Sequence, residues 1–313
     1  MDKVRQFLEK INITGMLRTD EPMAGHTSFG LGGPADVYAR PAGLSELIRL
    51  IATARSTGLP VFILGGGANI LVADRGVRGL VVDMSGFDSF DLYSGFAVAG
   101  AGLAVSQASA RLAEAGRSGL EFIYAMPGST GGAVWMNARC YGGSMADALL
   151  NVVFLDENLT LRSLSPSNRD FAYKSTPFQK HDWMIIAAVL RARPDHPERI
   201  WAVMRENEAD RIAKGHFLAP SAGSVFKNNR AHGAPAGVLI DRLGLKGFGI
   251  GGARVSPRHG NIIINEGKAT AENVLRLVEH LEAAVLGAYG FKLERELLPV
   301  GDWQPQLADK YIK

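Results

Sequence analysis

Three glycines stand in a row in FILGGGANILVAD, at Gly65, Gly66 and Gly67, between two apolar runs. Glycine loses the most backbone entropy on folding, so such a run calls for a use. One use is a tight turn. The other is close approach of bare backbone to a phosphate, with N–H groups aimed at it. A second cluster, AMPGSTGGAVWMNARCYGG, places Gly128, Gly131 and Gly132 just before Ala133. Two such loops, far apart in sequence, suit two parts of one extended anion. Neither opens a helix with a matching G-x-G-x-x-G, and no G-K-[ST] follows either, so a nucleotide would be held in another way. Near the C-terminus, Glu294 and Glu296 lie two apart in LEREL and would share one face of a strand. No histidine or carboxylate cluster has metal-ligand spacing, so no metal ligands are expected. The single cysteine, Cys140, cannot form an internal disulfide and reads as a small buried hydrophobe.

The elements that must position these residues alternate along the chain. Ser45 is placed to cap a helix with Leu47, Ile48, Ile51 and Ala54 on one face, ended by Gly58-Leu59-Pro60. Strands are expected at VFIL (61–64), LVVDM (80–84) and FAVAG (96–100), then a helix from Val105 to Ala115 closed by Gly116. NVVFLD and LTLRSL flank Asp156-Glu157-Asn158 as a hairpin, and MIIAAVL (184–190) is a continuous apolar strand. Arg193-Pro194-Asp195-His196-Pro197 reads as a linker. Helices follow over about 198–214 and about 271–289. The second puts Val274, Leu277, Val278, Leu281 and Val285 on one face, is stopped by Gly290, and leads to a strand FKLEREL. Strands and helices mix in both halves, which predicts an α+β fold.

With 313 residues, 47% apolar and 21% charged, the chain has ordinary globular composition and room for two domains. The N-terminus MDKVRQFLEKINI starts as an amphipathic helix without a signal-peptide core, and no apolar run reaches the roughly 18 residues of a membrane span. A cytoplasmic protein is therefore expected, without a membrane partner. The net charge of +3 suits an anionic ligand. The basic residues are scattered and not interleaved with aromatics, which argues against nucleic acid. RENEADRIAK alternates in sign and reads as a solvated helix face.

Six ordered blocks carry a family resemblance. They are HTSFGLGGPADVY (26–38), ILGGGANILV (63–72), MPGSTGGAVWMNA (126–138), PSAGSVFKN (220–228), KGFGIGGARVSPRHGNIIIN (246–265) and GFKLERELLPVG (290–301). Together they span nearly the whole chain and resemble the UDP-N-acetylenolpyruvoylglucosamine reductase (MurB) family of flavoenzymes, in its shorter form. The resemblance implies a vanillyl-alcohol-oxidase/PCMH-type FAD-binding region over 1–195, in subdomains of about 1–85 and 86–195. A C-terminal α+β substrate-binding domain over 196–313 would follow. It implies non-covalent FAD, NADPH as co-substrate, UDP-N-acetylglucosamine enolpyruvate as substrate, and a monomer.

The resemblance also assigns residues. Gly65, Gly66, Gly67, Ala68 and Asn69 would wrap the FAD pyrophosphate, with Gly128, Ser129, Thr130, Gly131 and Gly132 approaching it or the flavin ring from the other side. Ser224 matches the family's serine proton donor. Glu296 matches its glutamate by spacing from Gly301, with Glu294 as the fallback. Tyr173, Lys214 and Asn228 match substrate-binding positions. His259, in SPRHGN, is a family hallmark read as structural. Lys174 is the main departure, because the family pattern at AYKS is Tyr-Arg-x-Ser; lysine keeps the charge and loses the bidentate fork. Ala68, Gly30 and Arg139 depart less, and Arg139 and Cys140 fall near the expected flavin edge. Two other readings stay open. One is a flavoenzyme of the same fold that oxidises an alcohol or sugar, against which stand the SAGSVFKN and C-terminal glutamate blocks. The other is a weakened flavin-binding protein.

Overall fold

The computed structural model describes residues 2–167 and 170–304. Two compact units emerge. The first comprises the residues up to Arg18, then Tyr38–Gly66 and Val81–Ala209; the second comprises Thr19–Val37, Gly67–Leu80 and the residues from Asp210 onward. The chain therefore changes unit inside the glycine run, between Gly66 and Gly67. These units follow compactness and are discontinuous in sequence, unlike the linear division expected at 195/196.

In the first unit, a five-stranded antiparallel sheet has the order Leu161–Leu164, Leu149–Leu155, Met184–Arg191, Phe96–Gly100, Phe90–Leu92. The apolar run MIIAAVL lies at its centre, as a strand flanked on both edges should. The expected hairpin is present, with Leu155 paired to Leu161. The short helix Thr130–Trp135 packs on the central strand. The helix Val105–Glu114 buries Val105, Ala108, Leu112 and Ala113, and Ala113 meets Ile200 and Met204 of the helix Pro197–Ala213. That contact corrects the linker expected at 193–197. Arg193–Pro194 pairs with Arg117–Ser118, and Pro197 opens the helix, where its missing N–H would be unpaired anyway.

The helix Leu44–Thr57 buries Leu47, Leu50, Ile51 and Ala54 and stops at Gly58, whose φ is 65°. Its N-cap is Gly43, so Ser45 lies inside the helix, exposed. Glu46 takes over at this end. Its carboxylate accepts the N–H of Ala42, the N–H and hydroxyl of Thr14, and the N–H of Gly15. These donors, the Ala42 N–H first, hold the Glu46 carboxyl down at about 2.

The second unit packs the helix Ala271–Tyr289 against the antiparallel strands Gly249–Ile250, Ala253–Val255 and Ile263–Asn265. All five apolar residues expected on its inner face are buried. Thr270 caps it reciprocally with Asn273, and Gly290 ends it at φ 76°. Phe29, Leu71, Val225 and Phe226 complete this core, each side chain contributing about 1.5–3 kcal/mol. The strand FKLEREL is not formed. Regular pairing begins only at Leu298–Val300, parallel to Ile70–Val72. Upstream, Arg295 makes an isolated bridge to Phe226.

Candidate functional site

The glycine loop earns its composition through packing. A Cβ on Gly66 would lie 2.6 Å from the Gly128 Cα, and one on Gly65 would lie 2.6 Å from the Ser129 Oγ. The two glycine clusters thus meet backbone to backbone. Gly67 has φ 61° and lies against the His26 carbonyl, so it needs glycine on both counts. Among the described residues, the N–H groups of Gly66, Gly67 and Ala68 meet no acceptor, although Gly67 is buried. A buried N–H group is nearly always paired, so the open N–H of Gly67, with those of exposed Gly66 and half-buried Ala68 on either side, fits an anionic group such as a pyrophosphate.

The second cluster bonds inward. Thr130 donates its N–H to Leu103, Gly131 to Ala101, and Gly132 to the Ser129 Oγ, which caps the short helix. These three donors are engaged internally, so the loop contributes close approach and shape. The side chain and carbonyl of Asn69 turn away from the loop, toward the Glu296–Leu298 segment. Its carboxamide donates to the Glu296 carbonyl at 3.0 Å, and its own carbonyl accepts the Leu298 N–H.

Tyr173 and Lys174 form the tip of a tight turn in the first unit. Ala172 and Ser175 pair across it, and Lys174 adopts φ 55°. The turn is tied to the end of the Thr130–Trp135 helix. Asn137 donates to the Ala172 carbonyl, and Thr176 and Gln179 both donate to the Trp135 carbonyl. Rigid anchoring of a strained, half-buried cation is a pattern found at functional sites. Arg139 is exposed on a short strand with Cys140, paired to Gly143–Ser144.

Within the second unit, Ser224 and Glu296 come together. Ser224 is half-buried, and among the described residues nothing bonds its hydroxyl. The segment after it is stitched to the Glu296 segment: Glu296 and Leu297 donate to the Val225 carbonyl, and Lys227 donates to that of Glu294. The two glutamates, inseparable by sequence period, part company. Glu294 is 73% exposed at its side chain and pairs with Lys227, whereas Glu296 is 8% exposed. Glu296 is the carboxylate suited to buried chemistry.

Other expected positions have structural work on view. Lys214 pairs with Asp210 at 2.6 Å, and Asn228 accepts the Ala236 N–H at the start of the helix Ala236–Arg242. His216 and His259 lie 5.6 Å apart between ring centres. Burial, then Arg211, His259 and Lys214, pushes His216 down to about 4. Burial, then Lys214 and Lys246, pushes His259 down as well. Two residues escaped sequence reading. Ser28 donates its N–H to the Gly67 carbonyl, accepts the Ser221 N–H at its own carbonyl, and its hydroxyl donates to the Ser221 carbonyl at 2.7 Å. Asn261 brackets Phe226. Both lie inside the blocks HTSFGLGGPADVY and KGFGIGGARVSPRHGNIIIN, but neither has a spacing that marks it out. Among the described residues, no group of three or more His, Cys, Asp or Glu side chains is placed to hold a metal ion.

Comparison with known proteins gives the geometry its context. Residues 35–165 match the FAD binding domain family, and residues 215–300 match the C-terminal domain of UDP-N-acetylenolpyruvoylglucosamine reductase. The reductase of Agathobacter rectalis is 37% identical, with 96% of this chain and 98% of that protein covered. That of Caldanaerobacter subterraneus is 39% identical at the same coverages. The chain belongs to the UDP-N-acetylenolpyruvoylglucosamine reductase family. The crystal structure of the MurB reductase from Thermus caldophilus superposes with a TM-score of 0.77 at 33% identity, over 92% of this chain and all of that one. The fold class expected from the sequence, a PCMH-type FAD-binding region with the family's C-terminal domain, therefore holds. FAD is the cofactor of this class, and the open N–H groups at Gly66–Ala68 suit its pyrophosphate.

Proposed function

We propose that this chain reduces UDP-N-acetylglucosamine enolpyruvate to UDP-N-acetylmuramate with NADPH, the reaction of peptidoglycan precursor synthesis. The observation that carries the reading is the Ser224 hydroxyl: half-buried, without an internal partner among the described residues, and on a segment stitched to buried Glu296. FAD, when bound, supplies the relay of a hydride from NADPH to the enolpyruvyl C3. Ser224 holds the proton that C2 receives. A hydroxyl is a weak acid, so proton donation needs the field of neighbouring groups, with Glu296 assisting. Lys174 supplies the positive charge that an enolate conjugated with its carboxylate requires.

Binding is divided among other residues. Gly65–Asn69 hold the pyrophosphate from one side, and Gly128–Gly132 allow close approach from the other. Tyr173, Lys214 and Asn228 take the UDP-sugar. The FAD-binding region occupies 1–195 and the substrate domain 196–313. The enzyme works as a cytoplasmic monomer. Among the described residues, no helix is long and apolar enough to cross a membrane.

The test uses purified protein loaded with FAD. Acid precipitation should leave the flavin in the supernatant, and NADPH with the enolpyruvyl sugar should yield a product heavier by two hydrogens. Flavin retained in the pellet would refute non-covalent binding. Oxidation of a sugar or alcohol, with the enolpyruvyl compound untouched, would refute the reaction.

A further inference from the structure

Ser224 belongs to no regular strand, so something else must fix it. On one side lie Glu294–Leu297. On the other lies Asn261, which is 3% exposed. Its carbonyl accepts the Val225 N–H at 2.9 Å. Its carboxamide oxygen accepts the Phe226 N–H at 2.9 Å, and its carboxamide nitrogen donates to the Phe226 carbonyl at 2.8 Å. One side chain thus imitates a neighbouring strand's peptide for the residues just after Ser224, while Ile262 bridges Ser224 itself. Among side chains of this length only asparagine supplies both halves of that pair: aspartate would set a charge against the Phe226 carbonyl.

Asn261 is held in turn. Its N–H donates to the Nδ1 of His259 at 3.1 Å. A backbone N–H can only donate, so Nδ1 must be the unprotonated nitrogen and Nε2 carries the hydrogen. Burial first, then the charges of Lys214 and Lys246, opposes protonation of the imidazole, and the His216 ring lies 5.6 Å from it. Lys214 is paired with Asp210 and Lys246 with Asp241. Gly260, between the two residues, fits only because it has no Cβ, its backbone lying on the Gly237 carbonyl.

We propose that His259 and Asn261 form a positioning pair, in which the His259 Nδ1 orients Asn261 and the Asn261 carboxamide sets the Ser224 hydroxyl for proton donation. The proposal rests on Ser224 being the proton donor. Neither residue touches substrate in it; both act through the Ser224 segment.

The experiment exploits side-chain geometry. In His259→Asn the amide oxygen can take the place of Nδ1; in His259→Gln it takes the place of Nε2. FAD-loaded variants are reduced anaerobically with NADPH and then mixed with the enolpyruvyl sugar in a stopped-flow instrument. Asn261→Asp and His259→Gln should slow flavin reoxidation by about 10²-fold, the scale for shifting a positioned group by an ångström. Flavin reduction and substrate KM should stay within about twofold, and His259→Asn should recover most of the rate. His259→Gln outperforming His259→Asn would overturn the proposal, as would equal slowing of both half-reactions. Should Asn261→Asp not fold, the two His259 variants still decide the matter. Ser224→Ala separates the premise from the proposal. A parent-like rate in Ser224→Ala would refute the proton-donor reading. A slow Ser224→Ala that His259→Gln slows by a further full increment would refute the positioning pair alone, since groups acting as one unit are not additive.

Discussion

Lys174 occupies a backbone conformation that glycine would adopt at lower cost, which allows its charge and its strain to be tested apart. At φ 55° a side chain crowds the following carbonyl. The left-handed conformation costs a residue with a Cβ roughly 1–2 kcal/mol. Glycine avoids that but loses about 0.5–1 kcal/mol more backbone entropy on folding. Lys174→Gly should therefore be more stable than Lys174→Met by about 1 kcal/mol, because both lose the ammonium and differ at the backbone. Activity should not follow that difference in stability. Both variants remove a cation from a developing enolate, a loss of about 3 kcal/mol in the transition state, or about two decades in rate. Lys174→Arg restores the family's own group and should reoxidise within a fewfold of the parent. Thermal unfolding with saturating FAD reads the first quantity, and stopped-flow reoxidation by the enolpyruvyl sugar reads the second. A glycine variant less stable than the methionine variant would refute the strain argument. Parent-like reoxidation in Lys174→Met would place Lys174 off the reaction, and Arg139 would be the next cation to vary.

Gly66→Ala should loosen FAD about fivefold or more in equilibrium dialysis, since its Cβ would push on the Gly128 backbone, where overpacking costs about 1–3 kcal/mol; unchanged affinity would show that the two loops part freely. Glu46 makes stability depend on acid pH. Its folded value near 2 lies below its ordinary 4.5, so its contribution is complete above 4.5 and is lost as pH falls from there toward 2. The full span is worth about 3 kcal/mol, and Glu46→Gln should flatten the urea-midpoint profile through that window. Glu294→Gln should leave turnover within about twofold, because an exposed ion pair contributes about 0–1 kcal/mol, whereas Glu296→Gln should slow reoxidation by about 10²-fold.

Residues with local causes were legible in the sequence. The helix Ala271–Tyr289 followed from a 3.6-residue apolar period, a threonine cap and a terminal glycine, all within one segment. The glycine clusters announced close backbone approach, and the structure shows what approaches: each other, and the His26 carbonyl. What escaped was long-range. Ser45 had the right type for a cap, but the helix start is secured by Glu46 reaching Thr14 and Gly15, some thirty residues away. The two prolines near 195 suggested a break, yet one pairs in a short ladder and the other begins a helix. LEREL has strand-like alternation, but its partners are irregular backbone at Val225 and Lys227, which carry no periodic signal. Strand period left Glu294 and Glu296 alike and spacing from Gly301 favoured Glu296; their surroundings differ as well, one meeting Lys227 at the surface and the other buried.

The proposed reaction turns on Ser224 giving a proton to substrate carbon. The direct measurement is the pair of half-reactions of Ser224→Ala, followed by flavin absorbance. Bleaching by NADPH should proceed at nearly the parent rate, because that step needs no proton at C2. Reoxidation by UDP-N-acetylglucosamine enolpyruvate should fall by about 10²-fold or more, the usual scale for removing a positioned acid. Equal slowing of both steps would make Ser224 structural, and unchanged reoxidation would contradict the assignment outright.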